Sequence, residues 1–150
     1  MAIDPSAAGR VYEPQAYEVS REKVREFAEA IGDSNPVYVD AEASRAHDHA
    51  DVVAPPTFVM IPVMRGFDFL MADLGIEFAR VVHVDQRFQY VRALAVGDRL
   101  QTTTTLEGLR TVAGNDLLTI RCDVRDEAGT DVCTARATLL VRPEEEGDDA

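Results

Sequence analysis

The sequence predicts an α+β domain in which one long apolar helix is wrapped by an antiparallel sheet of about five strands. Three observations carry this. Residues 57–73 are apolar on all sides, as in a buried helix. From residue 80 the apolar period changes to two, the period of a strand. The strands follow the helices as one block and are joined by short turns, the order of an α+β domain with an antiparallel sheet.

In chain order, residues 1–10 are small and polar and are expected to be loose. Tyr17-Glu18-Val19 forms a short strand, and Ser20 is a good N-cap. Val24, Phe27, Ala28 and Ile31 then fall on one face of a helix over 21–31, stopped by Gly32. Asp40 caps a second short helix, 41–46, and His47-Asp48-His49-Ala50-Asp51 is a polar loop. Pro62 lies inside the long helix, where a proline is tolerated in the first turns and otherwise kinks the chain; Gly75 is the stop. Val82, Val84, Phe88 and Tyr90 alternate with polar residues along the first long strand. Ala95-Val96-Gly97-Asp98 turns the chain into a strand over 99–109, rich in threonine. Ala113-Gly114-Asn115-Asp116 and Glu127-Ala128-Gly129 then separate strands over 117–126 and 130–142. The domain is placed at 11–142, and 143–150 is an acidic tail expected to be disordered. A sheet curled round one long helix is the hotdog architecture.

The composition narrows the function. Apolar content of 46% and charged content of 28% are ordinary for a globular domain of 150 residues. The net charge is −12, and residues 144–150 supply five negatives and no positive, leaving about −7 on the body. Such a charge argues against a nucleic-acid role. The apolar stretch near 52–64 is broken by Pro55, Pro56 and Pro62 and followed by Arg65, too short for a membrane span. With no charged-then-apolar leader, a cytoplasmic protein is expected. Lys23 is the only lysine, so cationic work falls to arginine, the better fork for phosphate. Cys122 and Cys133 fit two reduced, packed thiols on adjacent strands, and no metal-ligand spacing is present.

Residues 31–44 are the most informative stretch: Ile31-Gly32-Asp33-Ser34-Asn35-Pro36-Val37-Tyr38-Val39-Asp40-Ala41-Glu42-Ala43-Ser44. They resemble the motif of the MaoC-like (R)-specific hydratases and dehydratases, in which an Asp is followed five residues later by a His. Here Asp33 is present, and Tyr38 occupies the His position. Ala54-Pro55-Pro56-Thr57-Phe58 resembles the start of the buried helix in the FAS1-like dehydratase branch of that family. Val84-Asp85-Gln86, Phe88-Gln89-Tyr90-Val91-Arg92 and Val96-Gly97-Asp98-Arg99-Leu100 resemble the same branch in order and spacing. The likeness spans about 11–142 and is greatest to small subunits of actinobacterial type II 3-hydroxyacyl-carrier-protein dehydratases. It implies the hotdog fold, an acyl-CoA or acyl-carrier-protein thioester as substrate, no cofactor or metal, and dimers in which two sheets join edge to edge.

Catalytic members remove water from a 3-hydroxyacyl thioester or add it to the enoyl thioester. A base takes the proton at C2, an acid protonates the hydroxyl leaving C3, and a donor serves the thioester carbonyl. The resemblance assigns the proton work to the Asp and His, and the carbonyl to a backbone N–H at the start of the buried helix. Asp33 keeps the acidic half, or serves as a loop cap after Gly32. Tyr38, with an ordinary pKa of about 10, is a hydrogen-bond donor but a poor base at pH 7. Loss of a positioned acid/base group costs about 10²–10⁴ in rate. Pro56 aligns with a glycine whose N–H serves the carbonyl, and proline has no N–H; that loss costs about 10²–10³.

The candidate chemical residues are therefore Asp33, Tyr38 in a vestigial role, and Asn35, which with Pro36 also reads as a structural turn. Pro56, Thr57, Phe58, Met60, Arg87 and Arg92 are the candidate substrate contacts. Arg87, Arg92 and Arg99 suit a pantetheine phosphate or an acidic carrier protein, and equally a solvated strand edge. Met60, Met64 and Met71 read first as core, His47 and His49 as solvated, and His83 as structural. The favoured reading is a non-catalytic or substrate-binding subunit, in a homodimer or in a heterodimer with a catalytic hotdog chain. The alternatives are an autonomous hydratase or thioesterase using Asp33, and an acyl-thioester binding module without catalysis.

Overall fold

The computed structural model describes residues 3–144. Its elements are β1 (Gln15–Glu18), α1 (Arg21–Ala30), α2 (Ala41–Arg45), α3 (Met60–Asp73), β2 (Val81–Tyr90), β3 (Arg99–Val112), β4 (Asn115–Asp126) and β5 (Asp131–Val141). One antiparallel sheet runs in the order β1-β3-β4-β5-β2, so β1 and β2 are its edges. This is the predicted hotdog, with α3 held against one face of the sheet.

Alternation fixes that face. Leu100, Thr102, Thr104 and Leu106 of β3, Leu118, Ile120, Cys122 and Val124 of β4, and Cys133, Ala135, Ala137 and Leu139 of β5 are buried. The apolar members form one cluster with Val59, Val63, Phe67 and Leu70. Small residues set the approach distance: a Cβ at Gly66 would lie 2.0 Å from Thr104 Oγ1, so α3 meets β3 at a point only glycine allows. Pro62 is the third residue of α3, in the turn where a missing N–H costs no helical bond.

Three features depart from the sequence reading. Residues 3–10, expected to be loose, are packed: Ile3 and Ala7 are buried, and the buried carboxylate of Asp116 accepts the Ile3 N–H at 3.0 Å. Gly9 N–H donates to Leu106 O and Tyr12 N–H to Thr104 O, so the segment lies along β3 as a continuation of the edge. Ile31, assigned to the buried face of α1, is 49% exposed, because α1 ends at Ala30. In β2 a register shift between His83 and Asp85 breaks the alternation, leaving Val82 and Val84 exposed while Gln86, Phe88 and Tyr90 keep the inward phase. Of the acidic tail, Glu144 pairs with Arg80 at 3.2 Å; 145–150 lie outside the described residues.

Cys122 and Cys133 lie on adjacent strands and are free, and burial raises both thiols to about 11. Both stay protonated at pH 8, so a thiol-disulfide reagent should titrate neither cysteine in the native protein and both in denaturant. Rapid native reaction would show that the β4–β5 face opens. Among the described residues, no helix is long and apolar enough to cross a membrane.

Candidate functional site

The motif loop is built by local hydrogen bonds. Ser20 caps α1 at Lys23 N–H, as its sequence position predicts. Gly32, at φ 70°, ends α1 in the left-handed turn that needs glycine, and the next N–H, that of Asp33, returns to Ala28 O at 3.0 Å. Asp33 Oδ1 accepts from Asn35 N–H at 3.1 Å, and Asn35 Oδ1 accepts from Val37 N–H at 3.2 Å. Both side chains therefore shape the turn, which runs into a 3₁₀ segment, Pro36–Tyr38. Asp33 is exposed, and among the described residues no hydrogen bond reaches its Oδ2.

Tyr38 is half-buried against the core. Burial raises its phenol above the ordinary value, and the negative charge of Asp33 raises it further. The two side chains thus interact, and the interaction keeps Tyr38 protonated. It can donate a hydrogen bond or orient a water, and it cannot take a proton near neutrality.

The loop is tied to the start of the buried helix. Val37 O accepts from the buried Ser44 hydroxyl at 2.7 Å and from Val53 N–H at 3.3 Å. Ala54 N–H then donates to Leu94 O, and Pro55-Pro56 leads into a 3₁₀ turn, Pro56–Val59, that continues as α3. Phe58 is wholly buried, with Phe27 of α1 and Tyr17 of β1 edge-on at 5.4 and 6.2 Å. Pro56 and Thr57 are exposed at this mouth, and Met60 packs half-buried behind them. Pro55 and Pro56 have no N–H, so Thr57 carries the first one in the segment.

Sequence reasoning missed Tyr90 here. Its hydroxyl donates to Pro56 O, and burial raises its pKa, keeping it a donor. The inward phase of β2 was the signal. Arg87 lies on the outer face of the sheet, opposite Arg136, with Nε 3.1 Å from Asp85. Arg92 is held on both carboxylate oxygens of Asp98, at 2.7 and 3.2 Å, and braces that turn. His47 contacts Ala43 O from the exposed loop, and His83 sits 3.0 Å from Gln86 and beside Phe67. No cluster of His, Cys, Asp and Glu suited to a metal ion occurs among the described residues.

Residues 6–135 match the family described as FAS1-like, dehydratase domain region. A UPF0336 protein of Streptomyces griseus is 54% identical over 149 residues, covering 97% of this chain and 99% of that protein. A crystal structure of the C-terminally truncated HadBC (3R-hydroxyacyl-ACP dehydratase) complex of Mycobacterium tuberculosis superposes with a TM-score of 0.83. Its identity is 27%, over 89% of this chain and 96% of that chain. A structure described as a MaoC-like dehydratase gives the same TM-score at 32% identity, over 91% of this chain and 42% of that one.

Proposed function

Because the chain belongs to the FAS1-like dehydratase region family, a branch of the MaoC-like hotdog dehydratases and hydratases, we propose that it serves (R)-3-hydroxyacyl-thioester dehydration and enoyl hydration as a substrate-holding subunit. Its partner is a second hotdog chain with an intact Asp and His. The observation that carries this is Tyr38 at the histidine position, raised in pKa by burial and by Asp33 and so confined to the protonated state. The scaffold for an acyl thioester is kept, and the base is gone. That the similar HadBC structure is a complex of dehydratase chains supports a paired assembly.

β2 suits the pairing. It is an edge strand, 10 residues long, with Val82 and Val84 exposed upon it and Phe78 exposed just before it. A free apolar edge of this kind is a template for another chain.

The test is hydration of trans-2-enoyl-CoA, followed at the enoyl absorbance. The purified chain alone is expected to be silent within the assay, and addition of a hotdog chain carrying Asp and His is expected to restore turnover beyond that of the added chain by itself. Turnover by this chain alone, lost in Asp33→Asn, would refute the non-catalytic role.

A further inference from the structure

Of the three arginines first suspected of phosphate binding, two are otherwise placed: Arg92 on Asp98, and Arg87 on the outer sheet face. The third, Arg99, lines a cleft of ≈ 400 Å³ beside β1 with Arg65, Tyr17, Glu18, Gln101 and Glu127. We infer that this cleft binds the phosphate-bearing arm of an acyl-thioester carrier, with Arg65 and Arg99 as its donors. The inference rests on the acyl-thioester reading above.

Arg65 projects from α3. Its guanidinium lies over the Tyr17 ring, 5.0 Å from the centroid, and Nη1 donates to Ala16 O at 3.3 Å. These contacts fix the plane of the fork, and among the described residues no carboxylate pairs with it. Of the four arginines with no ion pair among the described residues, Arg45, Arg65, Arg110 and Arg142, Arg65 is the one that lines this cleft. Arg99 keeps only a loose contact with Glu127, 3.8 Å apart with both side chains more than 60% exposed, which a phosphate can displace. Guanidinium forks hold phosphate through paired, charge-assisted hydrogen bonds. The cleft volume falls in the range of small-ligand sites. Glu18 and Glu127 repel an anion there, so the phosphate must sit on the Arg65 side.

Position links the cleft to the thioester site. Tyr17, which carries Arg65 on its face, meets Phe58 edge-on, two residues beyond Pro56. From Thr57 to Arg65 the helix rises only about 12 Å, a distance that the arm of a thioester can span while its carbonyl stays at the helix start.

Full-length protein should be titrated calorimetrically with butyryl-CoA, butyryl-4′-phosphopantetheine, butyryl-pantetheine and adenosine 3′,5′-bisphosphate. Phosphate-bearing thioesters should bind about tenfold or more tighter than butyryl-pantetheine. Arg65→Gln and Arg99→Gln should each reduce that advantage and leave butyryl-pantetheine unchanged. If CoA alone has the advantage, the nucleotide phosphates are the ones held; if phosphopantetheine shares it, the arm's own phosphate is. Arg65→Gln could loosen Tyr17, and Arg99→Gln is free of that ambiguity. Equal loss for all ligands, or no loss in either variant, overturns the cleft. Arginine-dependent binding of the bisphosphate without any butyryl-pantetheine binding keeps the cleft and removes the acyl-thioester reading. Binding of none overturns both.

Discussion

Gly66→Ala is expected to destabilise the protein by about 2–3 kcal/mol, the upper part of the range for overpacking a core, and to lower Tm by roughly 6–10 °C. In an exposed helix the same change would stabilise by up to ~1 kcal/mol through propensity. Here the new methyl would meet Thr104 Oγ1 at 2.0 Å and Thr104 Cβ at 3.1 Å. Thr104 cannot rotate away cheaply: it is 1% exposed, and its hydroxyl lies 3.4 Å from the buried Cys122 Sγ. Relief requires α3 to lift from β3, and α3 carries the site's helix start and the Phe58 packing with it. Urea unfolding of Gly66→Ala, Thr104→Ala and the double variant forms a cycle, and the double variant should recover much of the loss. Wild-type stability in Gly66→Ala would mean that helix and sheet do not approach this closely in solution.

What the sequence revealed, and what it hid, follows the range of the forces involved. Ser20, Gly32 and Asp40 act within four residues of their own positions, and each caps or stops its helix as read. The strand block was legible because one face is buried, and alternation records that burial. The bulge in β2 was not, since an extra residue is defined only against the strand it pairs with, β5. Nor was the packed N-terminus: Ile3 is held by Asp116, a partner 113 residues away. The same division runs through the site. Asp33, Asn35 and Tyr38 form a contiguous turn and could be named together, and Phe58 stood in an apolar helix start. Tyr90 reaches Pro56 across 34 residues; the inward phase of β2 marks it as facing the core, and only the fold shows which carbonyl it meets. The arginines show the limit best. Composition says that arginine must serve any phosphate, but only the fold tells that Arg87 faces outward, that Arg92 is held by Asp98, and that Arg65 lies over Tyr17 with no carboxylate paired to it among the described residues.

Tyr38→His should give the single chain measurable enoyl-CoA hydration, about 10²-fold or more above wild type, the lower end of what a positioned acid/base group contributes. Asp33 is already set by the α1 terminus, and its Oδ1 is occupied by Asn35 N–H while Oδ2 is available to orient an imidazole. An imidazole titrates near 6.5, whereas the Tyr38 phenol is held above its ordinary value. The gain should therefore rise with pH through the imidazole pKa, a profile that the phenol cannot give below pH 8. Recovery will be capped, because Pro56 offers the thioester carbonyl no N–H. Pro56→Gly restores that donor and keeps the carbonyl that Tyr90 holds, and in the Tyr38→His background it should add a further factor of about 10²–10³. The two groups act on one transition state, so the effects need not multiply, and Pro56→Gly alone should show little. If neither the single nor the double variant hydrates enoyl-CoA while both remain folded by circular dichroism, the missing histidine is not what silences this chain. The defect would then lie in access to the site, and the cleft beside Tyr17 and Arg65 becomes the place to look for it.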